Sequence, residues 1–316
     1  MFAALLGITG AFVYGSSDFL GGLASKRISP LIVTATSAVA GLAILLLLFP
    51  VIGGAWSWSA VIWGGLSGIS GAIALSLLYA CLAIGPMSIL SPLTAIMSAI
   101  VPMTFGLVTG TTFGLVGYLG LGVALVAVVL VGFVPEKGAV RPSAKGLLMA
   151  IASGALIGLF LILINQTPTD SGIVPLLFNR SVNALLLFGA VAVLSLGSRR
   201  RRQRATATGA GAGAGAIGSV RGVDLPGDTD ARAAVSANLR IALLLAVGCG
   251  VLDAVANILL LTGIHLGDLA IMSVLTAMYP AGTIILAAIV LRERIAPVQI
   301  VGLVLALVAA AMLALA

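Results

Sequence analysis

The sequence predicts an all-α, polytopic membrane protein of about ten transmembrane helices arranged as two inverted five-helix repeats. Three observations carry that prediction. The composition is too apolar for a fold in water, the apolar residues fall into ten segments of spanning length, and the two halves of the chain resemble each other.

Apolar residues make up 61% of the 316 residues and charged residues 8%, where a soluble domain carries about 45–50% and about 25%. A soluble fold of this length could not hide so much apolar surface, so lipid must solvate part of it. The 40 glycines agree, because glycine is more frequent in membrane helices than in soluble ones. A net charge of +7 would raise the question of nucleic acid in a soluble protein. Here the basic residues sit between apolar segments without a recognition motif, which reads as orientation signal and lipid contact, not nucleic-acid binding. Cys81 and Cys249 both lie inside apolar segments and have no metal-ligand spacing.

A span needs about 20 apolar residues. Ten segments meet this: 2–24, 30–50, 59–83, 87–109, 113–134, 144–164, 172–196, 239–262, 267–290 and 296–315. The breaks carry turn chemistry or charge, such as Ser29-Pro30 and Gly85-Pro86. The first segment has no basic region before it and no clear cleavage site, so it is expected to be a retained helix and not a signal peptide. Trp56, Trp58 and Trp63 suit an interfacial aromatic belt. One loop is long. Residues 197–238 hold Arg199, Arg200, Arg201, Arg202 and Arg204, then an Ala/Gly stretch, then Asp224, Asp228 and Asp230. Such a composition cannot form a core and predicts a flexible linker. Its arginines are expected either to meet anionic lipid headgroups or to act as an orientation signal alone.

Fifteen of the sixteen basic residues lie on loops that follow odd-numbered helices or at the helix ends flanking them, and the sixteenth, Arg180, lies well inside a helix. The positive-inside rule then places the odd loops in the cytoplasm and both termini outside, in a plasma (inner) membrane.

The repeat appears when the chain is shifted by 182 residues. Gly85 meets Gly267, Ser91 meets Ser273, and Leu93-Thr94-Ala95 meets Leu275-Thr276-Ala277; Gly120-Leu121 meets Gly302-Leu303. Helices four and five therefore recur as nine and ten, giving one repeat over 1–138 and another over 139–316, the second interrupted by the linker at 197–238. Five is odd, so the second copy enters the membrane from the opposite side. Inverted repeats are a frequent build of secondary transporters, with the solute site near the midplane between the halves.

The stretch from Leu252 to Leu313, with Gly267, Leu275, Tyr279-Pro280, Glu293, Gln299 and Gly302, resembles the closing half of an EamA-type domain of the drug/metabolite transporter superfamily. The opening YGSSDFLGGLASKR is similar to the first helix of that family. The resemblance implies ten helices, a central cavity, and export or exchange of metabolites. This chain departs from the repeat pattern at two places: Thr111 stands where the first repeat would match Glu293, and Ala38 or a neighbour where it would match Arg180.

Ionisable groups inside a span are costly and by default functional. Asp253 lies mid-helix with Asn257 one turn further on the same face and Gly250 beside it. Arg180 is flanked by Asn179 and Asn183, and its fixed charge needs Asp253, Asp18 or an anionic substrate group as partner. Asp18 has Tyr14 one turn away, with Lys26 and Arg27 as alternative partners. For each, a solute- or proton-binding role competes with a structural pairing. Ser91, Thr94, Ser273, Thr276 and Tyr279 place hydroxyls on two repeat-related helices, as cavity lining or as interhelical glue. Pro92, Pro102, Pro175 and Pro280 interrupt helices, as bending points for gating or as static kinks, and Glu293 between Arg292 and Arg294 reads as a loop ion-pair cluster or a cytoplasmic gate.

Together these residues predict a secondary active transporter of small polar solutes by alternating access. Amino acids are one class that a mixture of one basic and two acidic groups fits, and a proton is the candidate coupling ion. There is no GxxxxGK[ST] loop, so direct use of ATP is not expected, and no cofactor or metal is called for. The alternatives are a lipid-handling or non-transporting scaffold and, further off, an intramembrane enzyme. A serine-type enzyme would have to draw its base from the single histidine, His265, and the Gly267-Asp268 pair offers only an incomplete aspartyl-type motif.

Overall fold

The computed structural model describes residues 2–84, 87–132, 143–209, 228–292 and 296–315. Every regular element among them is helical: α1 (Phe2–Ser25), α2 (Pro30–Ile52), α3 (Trp58–Ile84), α4 (Met87–Val108), α5 (Leu115–Gly132), α6 (Ala144–Asn165), α7 (Val174–Gly209), α8 (Asp228–Leu266), α9 (Leu269–Thr276), α10 (Tyr279–Val290) and α11 (Pro297–Leu315), with a single 3-10 turn at Thr169–Ser171. Seven stretches are long and apolar enough to cross a membrane, and three shorter apolar ones lie within α4, α5 and α11. The protein is a polytopic helical membrane protein. Its outer surface is greasy, as lipid requires: Val51, Leu185 and Leu244 are among many large apolar side chains left exposed.

Helix starts follow local chemistry. Pro30 and Pro297 stand at first helical positions, where a missing N–H costs nothing. Ser143 Oγ accepts from Gly146 N–H at 3.1 Å to cap α6. Gln299 Oε1 accepts from Ala296 N–H at 3.0 Å, one half of a capping box.

Two expectations are corrected. The ninth predicted span is not one helix: it is α9 and α10, broken at Ala277 and Met278. Pro280 is the cause, since it has no N–H for the Thr276 carbonyl and its ring crowds that carbonyl. The chain passes the break by short i+3 bonds, Met278 N–H to Leu275 O and Ala281 N–H to Met278 O. The second concerns the linker over 197–238, which is entered by helix from both ends, α7 to Gly209 and α8 from Asp228. Arginine, glutamine and alanine are good helix formers, and extending a helix that is already nucleated is far cheaper than starting one. Residues 210–227 lie outside the described residues.

The helices pack in a pattern that survives exchange of the two halves. The α1–α8 pairing recurs as α3–α6, α2–α8 as α3–α7, and α4–α6 as α1 against α9 and α10, while α5 pairs with α11 and α2 with α7 across the exchange. Contact positions give the directions. Gly10 meets Leu259 and Gly21 meets Cys249, so α1 and α8 are antiparallel. Ser37 Oγ donates to Ala246 O at 2.8 Å and Gly41 faces Gly250, so α2 and α8 run parallel. In the other half, Ser70 Oγ donates to Leu156 O and Ser153 Oγ to Ala74 O, making α3 and α6 antiparallel. Gly64, Gly68 and Gly71 face Pro175, Asn179 and Asn183 in turn, making α3 and α7 parallel. The two five-helix halves are therefore inverted copies, packed along small residues that let backbones approach. A Cβ at Gly68 would strike the Asn179 carbonyl, and one at Gly250 would strike the Ser37 carbonyl.

The bundle has a basic side, marked by Lys26 and Arg27 after α1, and an opposite side. The opposite side is clasped. Ala55 N–H donates to Asp170 O at 2.8 Å and Ile173 N–H to Gly53 O at 3.2 Å, joining the α2–α3 and α6–α7 connections. Thr167 Oγ1 and His265 Nε2 meet at 3.0 Å, joining the ends of α6 and α8. On the basic side Arg27 Nη1 donates to Asn238 Oδ1 at 3.2 Å.

Candidate functional site

A cavity of about 140 Å³ lies between the two halves. Helix α7 brings three polar residues to it. Asn179 is buried and its Nδ2 donates to Ser67 Oγ at 2.8 Å, while Ser67 in turn donates to Gly64 O at 2.7 Å. Arg180, one residue on, reaches across to α8, where its Nη2 donates to Asp253 Oδ2 in an ion pair. Its stem passes over Gly41, where a Cβ would sit 3.6 Å from Arg180 Cδ. Asn183, the third, follows one turn later beside Gly71. Arg180 Nε and Asn183 Oδ1 are buried without a hydrogen-bond partner.

Helix α8 contributes Asp253 and Asn257. Asn257 Nδ2 donates to the Asp253 backbone carbonyl at 2.7 Å, which fixes its amide against its own helix. Helix α1 contributes Tyr14 and Asp18, one turn apart on one face. Asp18 is exposed by surface area although it lines the cavity within the bundle, so its exposure is to the cavity. Among the described residues Asp18 makes no hydrogen bond or ion pair, and it shares the cavity with Asp253. The break between α9 and α10 adds Thr276, whose Oγ1 donates to Met272 O at 2.7 Å, and Tyr279.

Nine of the residues expected to form a site are thus brought to one cavity: Tyr14, Asp18, Asn179, Arg180, Asn183, Asp253, Asn257, Thr276 and Tyr279. The ion pair expected for Arg180 forms with Asp253, and Arg27 is engaged with Asn238 instead of Asp18. Two hydroxyls lie elsewhere. Thr94 Oγ1 donates to Leu90 O and Ala150 O, and Ser273 Oγ to Ala270 O and Ala99 O, so both act as helix glue away from the cavity wall. The Ser91 side chain and Glu293 lie outside the described residues.

Sequence reasoning missed Ser98, Phe160 and Gly71, which also line the cavity. Ser98 carried a signal, one turn beyond Thr94 in an apolar helix. Phe160 carried none, because an aromatic on a membrane helix reads the same facing lipid or cavity.

The charged groups come from unmatched positions of the repeat. Gly68 and Gly250 make equivalent contacts, on Asn179 and Ser37 respectively, which pairs Arg180 with Ala38 and Asp253 with Gly71. Each ionic group therefore stands alone in a symmetric frame. Arginine stays protonated, so burying it demands a carboxylate partner. The pair is largely buried, with side-chain exposures of 9% for Arg180 and 24% for Asp253.

Inverted-repeat helical bundles with a polar cavity between their halves are a frequent build of secondary transporters. Residues 231–315 match the model of the EamA-like transporter family. The resemblance to EamA-type transporters of the drug/metabolite transporter superfamily thus holds over most of α8 and through α9, α10 and α11. A solved structure titled "Crystal structure of protein" has the same fold, with a TM-score of 0.66 over 99% of this chain and 96% of that one at 14% identity. No curated protein matches the chain. The family match supports a membrane transporter of small solutes.

Proposed function

We propose that the chain is a secondary active transporter, an exporter or exchanger of small polar metabolites, that works by alternating access at the cavity between its two halves. The observation that carries this reading is the meeting of Asp18, Arg180 and Asp253 in one cavity, drawn from both halves of the bundle. Intramembrane charges are retained where they meet a solute or a coupling ion. The clasp at Gly53, Ala55, Asp170 and Ile173 closes one end of the bundle, which suits one of the two states that alternating access requires. Rocking the inverted halves would exchange the closed end for the other.

On this reading the basic side faces the cytoplasm, both termini lie outside, and Arg199, Arg200, Arg201, Arg202 and Arg204 meet anionic lipid headgroups of the plasma membrane. A gradient drives transport, with a proton at Asp253 as the coupling ion. A serine-type enzyme is disfavoured because His265, the base it would need, is engaged with Thr167 at a helix end outside the cavity. A scaffold is disfavoured because it has no use for a charged cavity.

The test is a metabolite screen for thermal stabilisation of the purified protein, comparing wild type with Asp253→Asn and Arg180→Ala. A ligand should stabilise wild type and lose its effect in either folded variant. Ligands whose effect survives in both variants would move the site elsewhere. No ligand, together with no flux in proteoliposomes, would sink the transporter reading.

A further inference from the structure

We infer that Asp18 makes the cavity selective for solutes that carry a positively charged nitrogen on an apolar body, and that it is the specificity-determining residue of the site. This deepens the transporter reading and rests on it. The argument is a balance of charge and of commitments. The ionic groups lining the cavity are Asp18, Asp253 and Arg180, two carboxylates against one guanidinium. The Arg180 charge is already paired: its Nη2 is held by Asp253 and the residue is 7% exposed, with its buried Nε left as an unmet donor. A carboxylate on a solute would have to break that pair, or sit near Asp18 and be repelled. Asp18 is the reverse case. It is open to the cavity and has no partner among the described residues. The second carboxylate, Asp253, lines the same cavity. The cavity therefore offers one uncompensated negative charge and no free positive one.

The walls around that charge suit an organic cation. Tyr14 lies one turn from Asp18 on α1, and Tyr279 on α10 lines the same cavity. Two aromatic rings beside a carboxylate are what an ammonium group binds best, through charge pairing and cation–π attraction together. Leu78, Phe160 and Leu260 supply apolar surface for the rest of the solute. An inorganic cation is a poorer fit. It needs several oxygen ligands, and no cluster of three His, Cys, Asp or Glu exists among the described residues. A zwitterion, which the bare inventory of one basic and two acidic groups suits, is disfavoured once Arg180 is seen to be occupied.

Three probes of matched shape and different charge decide the matter: 2-phenylethylamine, phenylalanine and 3-phenylpropionate, tested against the full chain in lipid nanodiscs. The amine should bind at least tenfold more tightly than phenylalanine, and the anion should not bind. Asp18→Asn should weaken amine binding tenfold or more, and Asp18→Glu should restore most of it. The glutamate variant guards against misfolding of the asparagine one. Equal or tighter binding of phenylalanine or the anion, or amine affinity unchanged in Asp18→Asn, overturns the assignment. Flux of the same probes into proteoliposomes separates the two readings. Transport that prefers the zwitterion sinks the cation assignment alone. Selective amine binding that depends on Asp18, without flux of any probe, upholds the assignment and sinks the transporter reading.

Discussion

Substituting the partners of the Arg180–Asp253 pair one at a time should have unequal costs. The pair joins α7 to α8 across the middle of the bundle. At an ordinary charge-assisted distance of about 2.8 Å and an effective dielectric of about 20, its gross attraction is roughly 6 kcal/mol. Most of that offsets the desolvation of the two ions, so the net value of the intact pair is small. Removing one partner exposes the desolvation cost of the other. Asp253→Asn strands a guanidinium that is 9% exposed and cannot shed its proton. It should cost about 3–5 kcal/mol. Arg180→Met strands a carboxylate that is 24% exposed and can be hydrated from the cavity or take up a proton. Its cost should be lower, about 1–3 kcal/mol, below the usual range for breaking a buried pair. The double variant leaves no stranded charge and should return to within about 2 kcal/mol of wild type. Reversible unfolding in mixed micelles, read by far-UV circular dichroism, measures all four proteins. A loss below about 1 kcal/mol for Asp253→Asn, or a double variant that loses the sum of the two singles, would refute the account.

Three further outcomes follow from the packing. Gly250→Leu should destabilise the protein by at least about 1–3 kcal/mol, because even a Cβ there meets the Ser37 backbone; an unchanged unfolding midpoint would show that α2 and α8 do not pack this closely. Pro280→Ala restores a donor for the Thr276 carbonyl, so amide exchange around 277–281 should slow as α9 and α10 join, and solute binding should weaken as Thr276 and Tyr279 shift; exchange at the wild-type rate would place the cause of the break elsewhere. Thr94→Val removes a hydroxyl bonded to Leu90 O and Ala150 O and should cost about 1 kcal/mol with ligand affinity intact. A selective loss of affinity in that variant would mean Thr94 reaches the solute.

Much of this architecture is legible in the chain because lipid imposes one rule: backbone polar groups must be satisfied within the segment, so apolar runs of spanning length become helices. Segment ends such as Ser29-Pro30 and Ser143 fall where their chemistry predicts. The composition of 197–238 misled at its edges, since RRRRQRATAT and DARAAVSANL are polar yet good helix formers beside established helices. The site is legible to the extent that charge is rare in a span. Asp18, Arg180 and Asp253 stand out against apolar neighbours, and all three line the cavity. Hydroxyls did not discriminate. Thr276 lines the cavity while its repeat equivalent Thr94 is turned to helix carbonyls, because serine and threonine serve either purpose at little cost.

The sequence by itself determined that the chain is a polytopic helical membrane protein, the order of its apolar segments, and which intramembrane groups are too costly to be incidental. Those are consequences of composition and of short-range periodicity, which a chain carries wherever it goes. Tertiary structure alone decided how the charges are committed. One guanidinium and two carboxylates, 73 and 162 residues apart along the chain when counted from Arg180 to Asp253 and from Asp18 to Arg180, permit several pairings. Packing of α7 against α3 through Gly68, and of α8 against α2 through Gly250, sets Arg180 opposite Asp253 and leaves Asp18 free in the cavity. The Coulomb energy of a pair depends on distance and burial, and neither is written in the order of the residues.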